Sequence, residues 1–133
     1  MTTQQIPEMP ATWEGSGPEW TTYVVLQQLG KVPDEDFTYQ SPLMGGRLDK
    51  GGSVVDFLFT NPPDLAINVQ GNYYHYGMGT ETATRDILAR TQLASVGIIL
   101  VFVDESSLEE NAFYYIREAL RYRDHSRLGS RGL

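Results

Sequence analysis

Residues 53–70 read SVVDFLFTNPPDLAINVQ, and residues 81–103 read ETATRDILARTQLASVGIILVFV. The first stretch holds two β-rich runs, 53–60 and 65–70, either side of Asn61-Pro62-Pro63-Asp64, a turn sequence, and so predicts a hairpin. In the second, Ala83, Ile87 and Ala94, with Leu88 and Thr91, recur at helical spacing and predict an amphipathic helix over 81–95. Gly97 closes it, and 98–103 is a continuous apolar run of buried-strand length. Strand, strand, helix, strand requires a crossover, which lays the last strand parallel to an earlier one.

Working outward, Phe37-Thr38-Tyr39-Gln40 alternates as a short strand does. Ser16-Gly17-Pro18-Glu19 is a capping box with proline in the first turn, opening a helix through Trp20, Val24 and Leu29 that Gly30 ends. Residues 1–17 show no apolar periodicity and read as an extended arm, whose lone Trp13 is expected to dock on its own domain or on a partner. Downstream, Ser106 or Ser107, with Glu109 or Glu110 three residues on, caps a last helix. Its apolar face is Leu108, Ala112, Ile116, Ala119 and Leu120. Residues 42–52 and 71–80 read as glycine-rich loops. The expected fold is therefore α/β, a small mixed sheet of about four strands flanked by helices. Its expected parts are an arm (1–17), a core (18–105), a C-terminal helix (106–123) and a basic tail (124–133).

At 133 residues and 41% hydrophobic the chain is one domain with an ordinary core. It has no cysteine, which excludes a disulfide framework, a thiolate zinc site and a Cys nucleophile. No apolar run approaches the roughly 18 residues of a membrane span, and the first residues lack the basic start and apolar stretch of a signal peptide. The expected location is the cytoplasm, or a virion or other particle assembled in a bacterial cytoplasm. Net charge is −7, unevenly spread: residues 1–40 carry six acids and one base. Five of the ten bases, Arg117, Arg121, Arg123, Arg127 and Arg131, fall in the last 17 residues. An acidic chain is a poor general polyanion binder, because nonspecific DNA affinity comes from phosphate neutralisation; the basic C-terminal helix and tail, with the Tyr/His loop, are the places where DNA contact is possible.

The residues that carry chemistry stand in a definite order. Glu19 lies in the first helix and Asp56 in mid-strand, with Asn68 and Gln70 on one face of the partner strand because side chains alternate. Gly71 and His75 follow, then Asp86 and Arg90 on a helix, Gly97, and an apolar strand that closes on Glu105. From about Pro18 to Glu105 this order resembles the very-short-patch-repair endonuclease-like branch of the PD-(D/E)XK nuclease superfamily. The resemblance implies a restriction-endonuclease-like core with catalytic positions at Glu19, Asp56, Asn68 and Gln70, and a Mg²⁺ site at Asp56 in an active enzyme. The chain departs from the pattern where the chemistry lies. Asn68 stands where the family has a second carboxylate, and Gln70 where it has lysine or a further acid. Such a site needs clustered carboxylates to hold a hard cation and to supply hydroxide near neutral pH; an amide offers a carbonyl oxygen but no charge and takes no proton from water.

Each residue also has a plainer reading. Asp56 can bond neighbouring backbone, Glu19 is a capping acid, and Asp86 with Arg90 is an i,i+4 surface ion pair worth a few tenths of a kcal/mol. His75 between Tyr73, Tyr74 and Tyr76 can stack on a base or pack within a protein interface. The expectation is a non-catalytic, nuclease-derived domain, needing no cofactor, that binds other proteins of a larger assembly such as a phage particle, as an oligomer. The alternatives are a Mg²⁺-dependent DNA endonuclease in which Glu19 or Asp64 replaces the missing acid, and a non-enzymatic DNA-binding module. Candidate binding residues are Tyr73, Tyr74, His75, Arg117, Arg121, Arg123 and Arg127.

Overall fold

A computed structural model describes residues 6–42, 54–71 and 79–129. The elements are α1 (Gly17–Gln28), β1 (Phe37–Pro42), β2 (Val54–Phe59), β3 (Leu65–Gln70), α2 (Gly79–Ala94), β4 (Ile99–Asp104) and α3 (Glu105–Ala119). The four strands form one sheet in the order β1-β2-β3-β4. The first two pairings are antiparallel and β3 pairs with β4 in parallel, across the α2 crossover. The protein is thus α/β, a four-stranded mixed sheet flanked by helices. No helix among the described residues is long and apolar enough to cross a membrane.

The sheet buries both faces, which is why 65–70 and 98–103 read as apolar runs rather than strict alternations. On one face Phe37, Phe57, Phe59, Leu65 and Ile67 pack against Val25 and Leu26 of α1 and Leu108, Ala112 and Ile116 of α3. On the other, Val55, Ala66, Leu100 and Phe102 meet Leu93 of α2 and Leu128. Val55, Phe57 and Phe59 are of one parity, yet Val55 joins the second cluster and the phenylalanines the first. The strand therefore turns over at Asp56. At the same point the β1–β2 register skips a pair, running from Tyr39↔Phe57 to Ser41↔Val55, and Gln40 opposite Asp56 takes φ +57°. A left-handed residue in a strand marks such a local distortion.

Several local expectations need correction. In α2 the fully buried position among the described side chains is Leu93, and Ile87 packs partly buried against the same cluster as expected, whereas Leu88 is 56% exposed and Thr91 and Ala94 face solvent. The expected face is thus met only in part, because sixteen residues with few large apolar groups define it weakly. α3 starts at Glu105 with Asp104 as N-cap and no side-chain capping bond, so neither Ser106 nor Ser107 caps it. It is also broken at Asn111 (φ −165°, ψ 83°), where Asn111 Oδ1 accepts the Tyr114 amide at 3.0 Å and caps the second half.

The two ends fold onto the domain. Trp13 stacks on Tyr39 (ring centroids 4.6 Å apart) and meets the edges of Trp20 and Tyr23. Trp20 Nε1 donates to the Pro7 carbonyl at 2.7 Å. Of the expected basic tail, residues 124–129 close the β4 edge: Asp124 Oδ2 accepts the Phe102 amide at 2.9 Å, and the Arg127 amide donates to Asp104 Oδ2 at 3.0 Å. Leu128 is buried. The segment thus takes up the Phe102 amide, one of the backbone groups that an open strand edge would offer to another chain.

Candidate functional site

The distortion at Asp56 and Gln40 creates the site. Beyond Phe57↔Ile67 the β2–β3 ladder gives way to side chains. The Asp56 amide donates to Asn68 Oδ1 at 2.8 Å, and the Val69 amide donates to Asp56 Oδ2 at 2.7 Å. An Asp and an Asn thus replace two backbone bonds and hold the strands together while letting them part.

Glu19 faces Asp56 from α1. Its capping box is intact: the Ser16 amide donates to Glu19 Oε1 at 2.9 Å and the Glu19 amide to Ser16 Oγ at 3.2 Å. The same Oε1 accepts the Tyr39 hydroxyl at 2.7 Å. Gly15 is required here, because an added Cβ would run into Tyr39 Oη and Glu19 Oε1. Burial pushes the Asp56 carboxyl up to about 8, and the Glu19 charge beside it, then Asp86, add to the shift, against the opposing Val69 amide. Near neutral pH Asp56 is thus largely protonated, since burial and a neighbouring negative charge both disfavour its ionised form. Tyr39 is raised as well, by burial first and then by its bond to Glu19, so it stays a hydroxyl donor.

Gln70 is 5% exposed and its Nε2 donates to Asp86 Oδ2 at 3.2 Å. Burial raises the Asp86 carboxyl, with the Gln70 bond and Arg85 opposing. The structure therefore brings together Glu19, Asp56, Asn68 and Gln70, and adds Tyr39 and Asp86. Tyr39 carried a sequence signal only as an inward residue of a short strand. Asp86 was visible, but its expected partner Arg90 turns away: Arg90 lies over the Phe102 ring and Nη1 donates to the Leu128 carbonyl at 3.4 Å. Asp64, a candidate replacement acid, sits in the β2–β3 turn at the opposite end of the hairpin from Asp56. Among the described residues no three acidic or histidine side chains are grouped so as to hold a metal ion.

Of the candidate DNA-contact residues, two arginines are paired with an acid and a third lies on an aromatic ring. Tyr73, Tyr74 and His75 lie outside the described residues. Arg123 and Arg121 reach the buried Glu118 at 3.1 and 3.9 Å, and His125 Nε2 lies 3.0 Å from the same carboxylate. The His125 bond first, then Arg123, holds Glu118 below the ordinary carboxylate range. Arg117 stacks over Phe113, 5.5 Å from the ring centroid. No family model, curated protein or solved structure matches the chain.

Proposed function

We propose that this protein is a non-catalytic, nuclease-derived domain that serves as a protein-binding component of a larger assembly. The observation that supports this reading best is the use made of the two amides. Asn68 Oδ1 takes the Asp56 amide and Gln70 Nε2 is turned onto Asp86, so both act as cross-links of the site itself. The donor set fits a hard divalent cation poorly. Mg²⁺ is held through ionised carboxylates, whereas here burial keeps Asp56 largely protonated near neutral pH and its Oδ2 accepts the Val69 amide. A restriction-endonuclease-like ancestry agrees with the order Glu19, Asp56, Asn68, Gln70 gathering at one point, and is part of the proposal.

Asp86 favours a second reading, the Mg²⁺-dependent endonuclease, because it brings another carboxylate within electrostatic reach of Asp56. Plasmid nicking with Mg²⁺ or Mn²⁺, wild type against Asp56→Ala, separates the two. No cleavage by either protein is expected; cleavage by the wild type that Asp56→Ala abolishes would overturn the non-catalytic reading.

A further inference from the structure

A groove of about 1420 Å³ runs between α1 and α3, with the arm along its margin. It exceeds the roughly 300–1,000 Å³ of a small-molecule site, and suits a segment of another macromolecule. Trp20, Leu108 and Phe113 line it. Along it Ile6, Met9 and Tyr114 remain exposed, at 36%, 46% and 38%.

Two independent features accompany the apolar lining. The first is the break in α3. The run Glu105–Ala119 contains no glycine or proline, and local propensity favours one continuous helix. The chain nevertheless breaks at Asn111, which lines the groove. The break is held by Asn111 Oδ1 on the Tyr114 amide, and both residues line the groove. Conflict between local preference and tertiary structure is concentrated at functional places.

The second feature is charge. Glu105, Glu109 and Glu110 gather at one end of the groove, and Arg117 on Phe113 marks the other. An acidic mouth repels nucleic acid and anionic lipid. It also disfavours a second copy of this chain, which carries −7 and whose Arg121 and Arg123 are turned onto Glu118. The complementary occupant is a protein segment that is apolar on one face and carries Lys or Arg at one end, laid in as amphipathic segments are laid in grooves. We infer that the α1–α3 groove is a docking site for such a basic amphipathic segment of a partner protein. The inference rests on the protein-binding reading above and names the surface responsible.

A fluorescent, short amphipathic leucine–lysine peptide tests it against the full chain, with the leucine–glutamate peptide of the same pattern as control. Binding in the micromolar range is expected for the lysine peptide only, read by anisotropy at about 150 mM salt. Gly17→Trp places a bulky ring at a position that lines the groove, where a Cβ meets nothing within 4 Å, and leaves the charge unchanged. It should weaken binding by at least about tenfold, as should the pair Glu109→Lys and Glu110→Lys. The pair Asp34→Lys and Glu35→Lys, on the exposed loop after α1, should leave binding unchanged. Circular dichroism checks that every variant is folded.

Equal loss in the Asp34/Glu35 variant, or full binding by Gly17→Trp, would overturn the inference, because the peptide would then be reading net charge. Concentration-dependent dimerisation abolished by Gly17→Trp would assign the groove to a second copy and also overturn it. So would duplex DNA binding that Gly17→Trp blocks. These outcomes are distinct from Asp56-dependent nicking, which would remove the non-catalytic reading and leave the groove measurements standing.

Discussion

Asp56 does three things at once. Its amide and its carboxyl replace two rungs of the β2–β3 ladder, and its side chain stands against Glu19. The proton has a consequence for stability. The folded-state value, about 8, lies above the 3.8 of an ordinary Asp, so the folded protein binds more protons than the unfolded chain between those values. Stability is therefore greatest below about pH 4 from this group and falls as pH rises towards 8. Asp56→Asn keeps an acceptor for the Val69 amide and carries no charge. It is expected to flatten this pH dependence and to stabilise the protein at pH 8 by at least about 1 kcal/mol, since a tenfold change in proton affinity is worth about 1.4 kcal/mol. Urea unfolding at pH 5 and pH 8 measures both; a variant as pH-sensitive as the wild type would show that Asp56 is not the group responsible. Gly15→Ala acts on the same cluster from outside. It should separate Tyr39 from Glu19 and destabilise the fold by about 1–3 kcal/mol, the cost of opening a part-buried charged hydrogen bond.

Among the elements, the ends of the chain matter as much as the regular structure between them. The segment 121–129 covers the β4 edge, and Glu118 anchors its start through Arg121, Arg123 and His125. Asp124→Ala leaves the Phe102 amide without its acceptor and should cost about 1–3 kcal/mol, with faster amide exchange along β4. Glu118→Gln should speed exchange of 121–129 while leaving β2 and β3 protected. Because Glu118 sits below the ordinary carboxylate range, its contribution is present above about pH 4.5 and is lost as pH falls further. The protection of 121–129, taken relative to the intrinsic exchange rate at each pH, should thus fall on acidification in the wild type and not in Glu118→Gln. At the other end, Trp13→Ala removes the ring that joins the arm to Trp20, Tyr23 and Tyr39, and is expected to cost about 2 kcal/mol.

For the molecule as a whole, charge sets the expected behaviour. Net −7 remains, and two of the tail arginines are paired with a buried acid. Duplex DNA should bind no more tightly than about 10⁻⁴ M at physiological salt, the weak end of nonspecific binding. A salt-dependent affinity far above that would favour the DNA-binding alternative.

The sequence by itself determined the α/β class, the hairpin, the α2 crossover and the capping box, because those follow from local periodicity and turn chemistry within a few residues. It also brought Glu19, Asp56, Asn68 and Gln70 into view as a group. Only the tertiary structure decided what they do. Whether Asp56 bonds the backbone or faces a carboxylate depends on the turn-over of β2 at Asp56, opposite Gln40 of β1, and on where α1 docks, arrangements set by packing between segments far apart in the chain. The inward face of α2, the break at Asn111 and the closing of the β4 edge by residues 124–129 have the same origin. In each, burial and satisfaction of backbone groups by distant partners outweighed a local preference worth about 1 kcal/mol or less per residue.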